Sequence, residues 1–160
     1  MTGGGEMHRI GRRAEDGLTL VELVLVVAMI LVLAAIANIG YRSIVERARV
    51  SHAIADIGEL SMRIERYHTN NFDYPESLAD IGESARLDPW GNPYYYTLLT
   101  GTKGHGTARK DHRLNPLNAD YDLFSAGSDG VFKTQITQKD SLDDVIRARG
   151  GSYVGLAEDY

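Results

Sequence analysis

The chain has 160 residues, 24% of them charged and 43% apolar, which suits one compact domain with an appendage and excludes two sizeable cores. A net charge of -5 argues against a nucleic-acid partner, because contacts with phosphate need a basic face. With no cysteine, disulfides, thiolate zinc sites, iron-sulfur clusters and a cysteine nucleophile are all excluded.

The apolar residues are gathered at one end. Across residues 18–39 the only polar side chains are Thr19, Glu22 and Asn38. Those roughly 22 residues make about 33 Å of helix, enough to span a bilayer. Arg9, Arg12 and Arg13 precede the stretch and Arg42 follows it. This asymmetry predicts a cytoplasmic leader and an exported body. A secretory signal peptide is one reading, with Ala35-Ile36-Ala37 as the small-residue cleavage pattern. An uncleaved anchor is another. Neither explains Glu22, because a carboxylate at mid-helix in hydrocarbon costs about 2.5–3.5 kcal/mol and calls for a partner. Arg12 and Arg13 stand too far upstream for i,i+4 pairing.

The run Gly17-Leu18-Thr19-Leu20-Val21-Glu22 ahead of an unbroken apolar stretch resembles the processing motif of type IV pilins and pseudopilins. The resemblance implies that a membrane-embedded prepilin peptidase cuts between Gly17 and Leu18 and methylates the new N-terminus at Leu18. The chemistry of such a cut follows from the residues. Gly17 leaves no side chain at the scissile bond. The released α-amino group has an ordinary pKa of about 7.7–8 and lies near Glu22 in depth. In a staggered bundle, the amine of one subunit meets Glu22 of its neighbour, which sets register as a lone polar residue does in an apolar helix interface.

Beyond Asn38 the pattern predicts one long helix from about Leu18 to about Tyr67. Val50, Ile54, Ile57, Leu60, Ile64 and Tyr67 fall on one face. Gly40 and Gly58 are its expected weak points. Thr69-Asn70-Asn71 ends it, and Leu78 to Gly82 reads as a helical turn. Pro89 and Gly91 suit a turn, and Tyr94-Tyr95-Tyr96 suits a strand whose alternate residues pack on the helix.

The phrases Asp88-Pro89-Trp90-Gly91-Asn92-Pro93-Tyr94 and Asp120-Tyr121-Asp122-Leu123-Phe124-Ser125-Ala126-Gly127-Ser128-Asp129-Gly130 resemble hallmarks of the major pseudopilin of type II secretion systems. What the resemblance implies is an α+β pilin fold: a long helix, its first half membrane-spanning, packed on a small antiparallel sheet with a C-terminal calcium-binding loop. It implies calcium ligands at Ala126, Asp129, and Asp143 or Asp144. Calcium suits such a set because it takes six to eight oxygens in flexible geometry. The alternative is an ordinary Ser128-Asp129-Gly130 turn, with Asp143 and Asp144 capping a short helix from Leu142 to Arg149.

No catalytic constellation is visible. The histidines are scattered, and Gly101-Thr102-Lys103-Gly104-His105-Gly106 lacks phosphate-loop spacing. His105 and His112, with Lys103, Arg109, Lys110 and Arg113, read as a solvated basic loop. The expected organisation is a leader at residues 1–17, a membrane and polymerisation helix at 18–39, and a periplasmic head at 40–160. The expected role is a structural subunit of the secretion pseudopilus in the bacterial inner membrane, not an enzyme. Its partners are then copies of itself, minor pseudopilins, the peptidase, an inner-membrane assembly platform and lipid. The alternatives are a pilin of a surface or competence filament and a monomeric membrane-anchored calcium-binding domain.

Overall fold

A computed structural model describes residues 18–100 and 106–160. The chain divides into two units between Arg42 and Ser43. One helix, α1, runs through both, from Leu20 to Asn71. It starts two residues later than the apolar pattern suggests because Thr19 serves as its cap: the Glu22 amide donates to Thr19 Oγ1 at 3.2 Å. It also ends later than Tyr67. Thr69 Oγ1 and Asn71 Nδ2 donate to the carbonyls of Glu65 and Tyr67, so these polar residues prolong the last turn. The chain then leaves through Phe72 at φ 59, a position usually given to glycine. The helix is continuous through Gly40 and Gly58, where an added Cβ would touch nothing.

In the first unit, α1 is long and apolar enough to cross a membrane, and its large apolar side chains are exposed. From Ser43 onward the helix belongs to the head. There Ala53, Ile57, Leu60 and Ile64 are fully buried, on the face their spacing predicts, with Val50 and Ile54 packed beside them. Tyr67 is half-buried.

The head's sheet is a four-stranded antiparallel meander in the order β1 (Tyr95–Leu98), β2 (Tyr121–Ser125), β3 (Val145–Ala148), β4 (Tyr153–Leu156). Alternation along β2 splits the core. Tyr121 and Leu123 join the helix-side cluster, whereas Phe124 joins Leu117, Ile136 and Ile146 on the other side. Tyr94 and Tyr96 likewise pack with the helix, and Tyr95 stacks on Phe124. Leu78–Ile81 forms a single 3-10 turn closed by Gly82 at φ 77, as expected.

Two readings need correction. The short helix at Leu142 to Arg149 is absent: residues Val145–Ala148 are strand β3, paired with both β2 and β4. The alternation of Val145, Ile146, Arg147 and Ala148 between two packed faces favours a strand over a helix there. The basic loop is also not uniformly solvated. Arg109 is 3% exposed, with its guanidinium 4.2 Å over the Phe124 ring.

Candidate functional site

At the N-terminal site, Thr19-Leu20-Val21-Glu22 is a capping sequence, with Glu22 in the first turn of α1. The helix dipole favours a carboxylate there. Glu22 is exposed, and among the described residues it has no ion-pair partner. Gly17, the expected cleavage residue, lies outside the described residues; Leu18 is exposed. Sequence reading missed the part of Thr19, although Thr-x-x-Glu before an apolar run is a recognisable signal.

In the head, the two phrases that stand far apart in sequence meet in space. Asp88 is buried, and its Oδ1 accepts hydrogen bonds from the amides of Trp90 (3.0 Å) and Asn92 (2.8 Å), closing the Pro89–Gly91 turn. Its Oδ2 accepts from Ser125 Oγ at 2.5 Å, and Ser125 Oγ accepts from the Gly127 amide. Asn92 Nδ2 donates to the Gly127 carbonyl at 3.1 Å. The tight turn at 88–92 therefore buttresses the loop that follows β2.

That loop curls around Asp143. Asp143 Oδ2 accepts from the Ser128 amide at 2.8 Å, the Ser128 hydroxyl at 2.8 Å and the Asp129 amide at 3.2 Å. Gly127 sits at φ 64, and a Cβ there would collide with the backbone carbonyl and carboxylate of Asp143. Asp129 Oδ1 accepts from the Val131 amide at 2.8 Å. Gly127, Ser128 and Asp129 thus close around Asp143, with Ala126 buried immediately before them.

Asp144 faces the opposite way. It is fully buried and pairs through Oδ2 with Arg109 Nη2 at 2.5 Å. Burial pushes its carboxyl up to about 6, against the opposing pull of Arg109. The structure so separates the two candidates for the C-terminal ligand: Asp143 stands at the loop and Asp144 in the core. His105 lies outside the described residues, and among those described no group of three or more His, Asp or Glu side chains gathers around one point.

A second polar network closes the other end of the sheet. Arg147 grips Asp120 through two hydrogen bonds at 2.9 and 2.7 Å and lies 3.9 Å over Tyr121. Burial is the largest influence on Asp120 and raises its carboxyl, yet the hydrogen bonds from Arg147 and the Tyr121 amide outweigh it and hold the carboxyl below its ordinary value. Burial pushes Asp122 up; its oxygens accept from Asn118 Nδ2 and the Arg109 amide.

A long N-terminal helix whose second half packs on an antiparallel meander is the α+β pilin fold. Type II secretion system core protein G of Pseudomonas aeruginosa is 29% identical over 140 residues, covering 74% of this chain and 87% of that protein. Type II secretion system core protein G of Escherichia coli K12 is 31% identical over 147 residues, covering 77% of this chain and 90% of its own length. A fimbrial protein of Neisseria meningitidis is 31% identical over 74 residues, 46% of this chain and 44% of that protein. No family profile matches the chain, and no solved structure matches it. The chain belongs to the type II secretion system core protein G family. It is a pseudopilin, a structural subunit of the pseudopilus.

Proposed function

We propose that this pseudopilin is held in the bacterial inner membrane by residues 18–39, with its head in the periplasm, and is built into the filament through Glu22. The observation that carries the reading is a first-turn carboxylate in a stretch of helix, residues 20–37, that is otherwise apolar and exposed, without an ion-pair partner among the described residues. Cleavage between Gly17 and Leu18 by a prepilin peptidase, followed by methylation of Leu18, supplies the missing cation. An α-amino group with a pKa of about 7.7–8 is mostly protonated at neutral pH. In a stagger of neighbouring helices it meets Glu22 of the next subunit, removes an unpaired charge from lipid and fixes axial register. Minor pseudopilins and an inner-membrane assembly platform complete the partner set, and the subunit itself performs no catalysis.

The head contributes calcium binding at the Ala126–Asp129 loop. Two carboxylates, Asp129 and Asp143, backbone carbonyls and water form a hard-oxygen set of the type calcium accepts. Asp143 is the better supported of the two C-terminal candidates, because its carboxylate already meets the loop while Asp144 is committed to Arg109. Calcium there would neutralise adjacent carboxylates and tie the segment before β3 to the loop after β2. A surface or competence pilin is the less supported reading, since the fimbrial relative matches under half of each chain.

The test is Glu22→Ala in the full chain. The variant is expected to insert into the membrane at normal levels and to yield no sheared filaments and no cross-linked subunit ladder. Normal assembly by the inserted variant would remove Glu22 from this role.

A further inference from the structure

The two chain segments that carry the candidate calcium ligands are joined by the Ser125–Val145 pairing of β2 with β3, by Asp143 on the loop amides and, in the core, by the side chain of Arg109. Arg109 lies over the ring of Phe124 at 4.2 Å, two residues before Ala126. Its Nη2 pairs with Asp144 at 2.5 Å, the residue after Asp143. Asp143 and Asp144 lead into β3 and face opposite ways, the first to the loop and the second to the core. Any shift of Asp144 is therefore passed to Asp143 through a single peptide unit.

Arg109 itself is firmly held. Its amide donates to Asp122 Oδ2 at 2.6 Å, and its carbonyl accepts from the Leu117 amide at 2.9 Å. The next residue, Lys110, exchanges backbone bonds with Thr134 and Ile136. The guanidinium is thus an anchored strut between β2 and the segment before β3.

The pair is poorly explained as a stabiliser. Arg109 and Asp144 side chains are 3% and 0% exposed, and Arg109 Nε, Arg109 Nη1 and Asp144 Oδ1 lack hydrogen-bond partners among the described residues. A buried ion pair with unmet polar atoms is weakly stabilising at best against an apolar replacement. What it does supply is geometry, because the planar guanidinium stacks and pairs in fixed directions as no other cation does.

We propose that Arg109 is a positioning residue for the calcium loop: by stacking on Phe124 and pairing with Asp144 it fixes the spacing between the Ala126–Asp129 segment and Asp143. The proposal rests on the calcium reading given above. It assigns Arg109 no contact with the ion.

The experiment uses the full chain in detergent micelles, titrated with calcium chloride by calorimetry at fixed pH and salt. Wild type is compared with Arg109→Lys, which keeps the charge and loses the planar stack, and with Arg109→Met. Near-ultraviolet circular dichroism verifies the fold of each. A folded Arg109→Lys is expected to bind calcium about tenfold more weakly, as losses of supporting groups around a metal site do. Wild-type affinity in folded Arg109→Lys, with only its melting temperature lowered, would overturn the proposal. If wild type takes up no calcium, the calcium reading falls by itself. The positioning role is then decided by hydrogen exchange at the Ser128 and Asp129 amides: faster exchange in Arg109→Lys upholds it, and unchanged exchange defeats it.

Discussion

On a single helix, the large apolar side chains from Leu20 to Leu33 are 46% to 79% exposed, while Ala53, Ile57, Leu60 and Ile64 are fully sealed. Both stretches belong to α1, the first as an almost unbroken apolar run rich in β-branched valine and the second with its apolar residues spaced on one face. What separates them is where their apolar partners lie. The head finds its partners within the chain. Under the proposed function, the N-terminal stretch finds them in lipid and in neighbouring copies. The same division holds for charge: Arg86 pairs with Asp56 and Glu59 at 2.5 and 2.8 Å, whereas Glu22 has no ion-pair partner among the described residues.

The contrast can be broken most sharply at Glu22. Glu22→Ala should abolish filaments and leave the melting temperature of the head unchanged; a matching fall in that temperature would mean the two regions are not independent. The next largest effect belongs to the core. Leu60→Ala should cost about 2–5 kcal/mol in urea unfolding, the range for a truncated buried leucine, while Leu31→Ala, made where the side chain is exposed, should leave the head's urea midpoint where it was. Equal losses in the two variants would erase the distinction.

A smaller effect is expected at the loop. Gly127 occupies the left-handed region with Asp143 pressed against it, so Gly127→Ala should destabilise the head by more than about 1 kcal/mol and weaken calcium binding. Unchanged unfolding would show that the loop is not built around this contact.

The smallest effect is a slope in pH. Hydrogen bonds from Arg86, then Arg63, hold the Glu59 carboxyl down to about 2. A depressed folded pKa contributes stability that is complete above the ordinary glutamate value of about 4.3 and is lost as pH falls toward about 2. Glu59→Gln should lower the urea midpoint slightly at neutral pH and converge on wild type as pH falls toward about 2, which flattens the acid limb. An acid limb identical to wild type would assign that slope to other groups, Asp120 among them.

The helix, its buried face and the turn-strand order were legible because each rests on local periodicity or turn chemistry: Ile57, Leu60 and Ile64 by spacing, Pro89 and Gly91 by conformation, Tyr94 and Tyr96 by alternation. Glu22 was legible by incongruity, a charge where the pattern forbids one. The Asp88–Ser125 and Asn92–Gly127 bonds were not, since nothing local in either phrase announces that the two pack together. Arg109 was misread for a related reason. Amid Lys103, Lys110 and Arg113 it has the composition of a solvated loop, and only the fold brings Phe124 and Asp144 to it. Asp143 and Asp144 illustrate the limit well, two identical neighbours whose opposite environments are set by the strand that follows them.

The proposed subunit is cut, methylated and then stacked through Glu22. Intact mass of the protein purified from membranes tests this most directly. The predicted mass is that of residues 18–160 plus one methyl group. Recovery of the full-length chain, or of a chain cut after Ala37, from cells that secrete normally would contradict it.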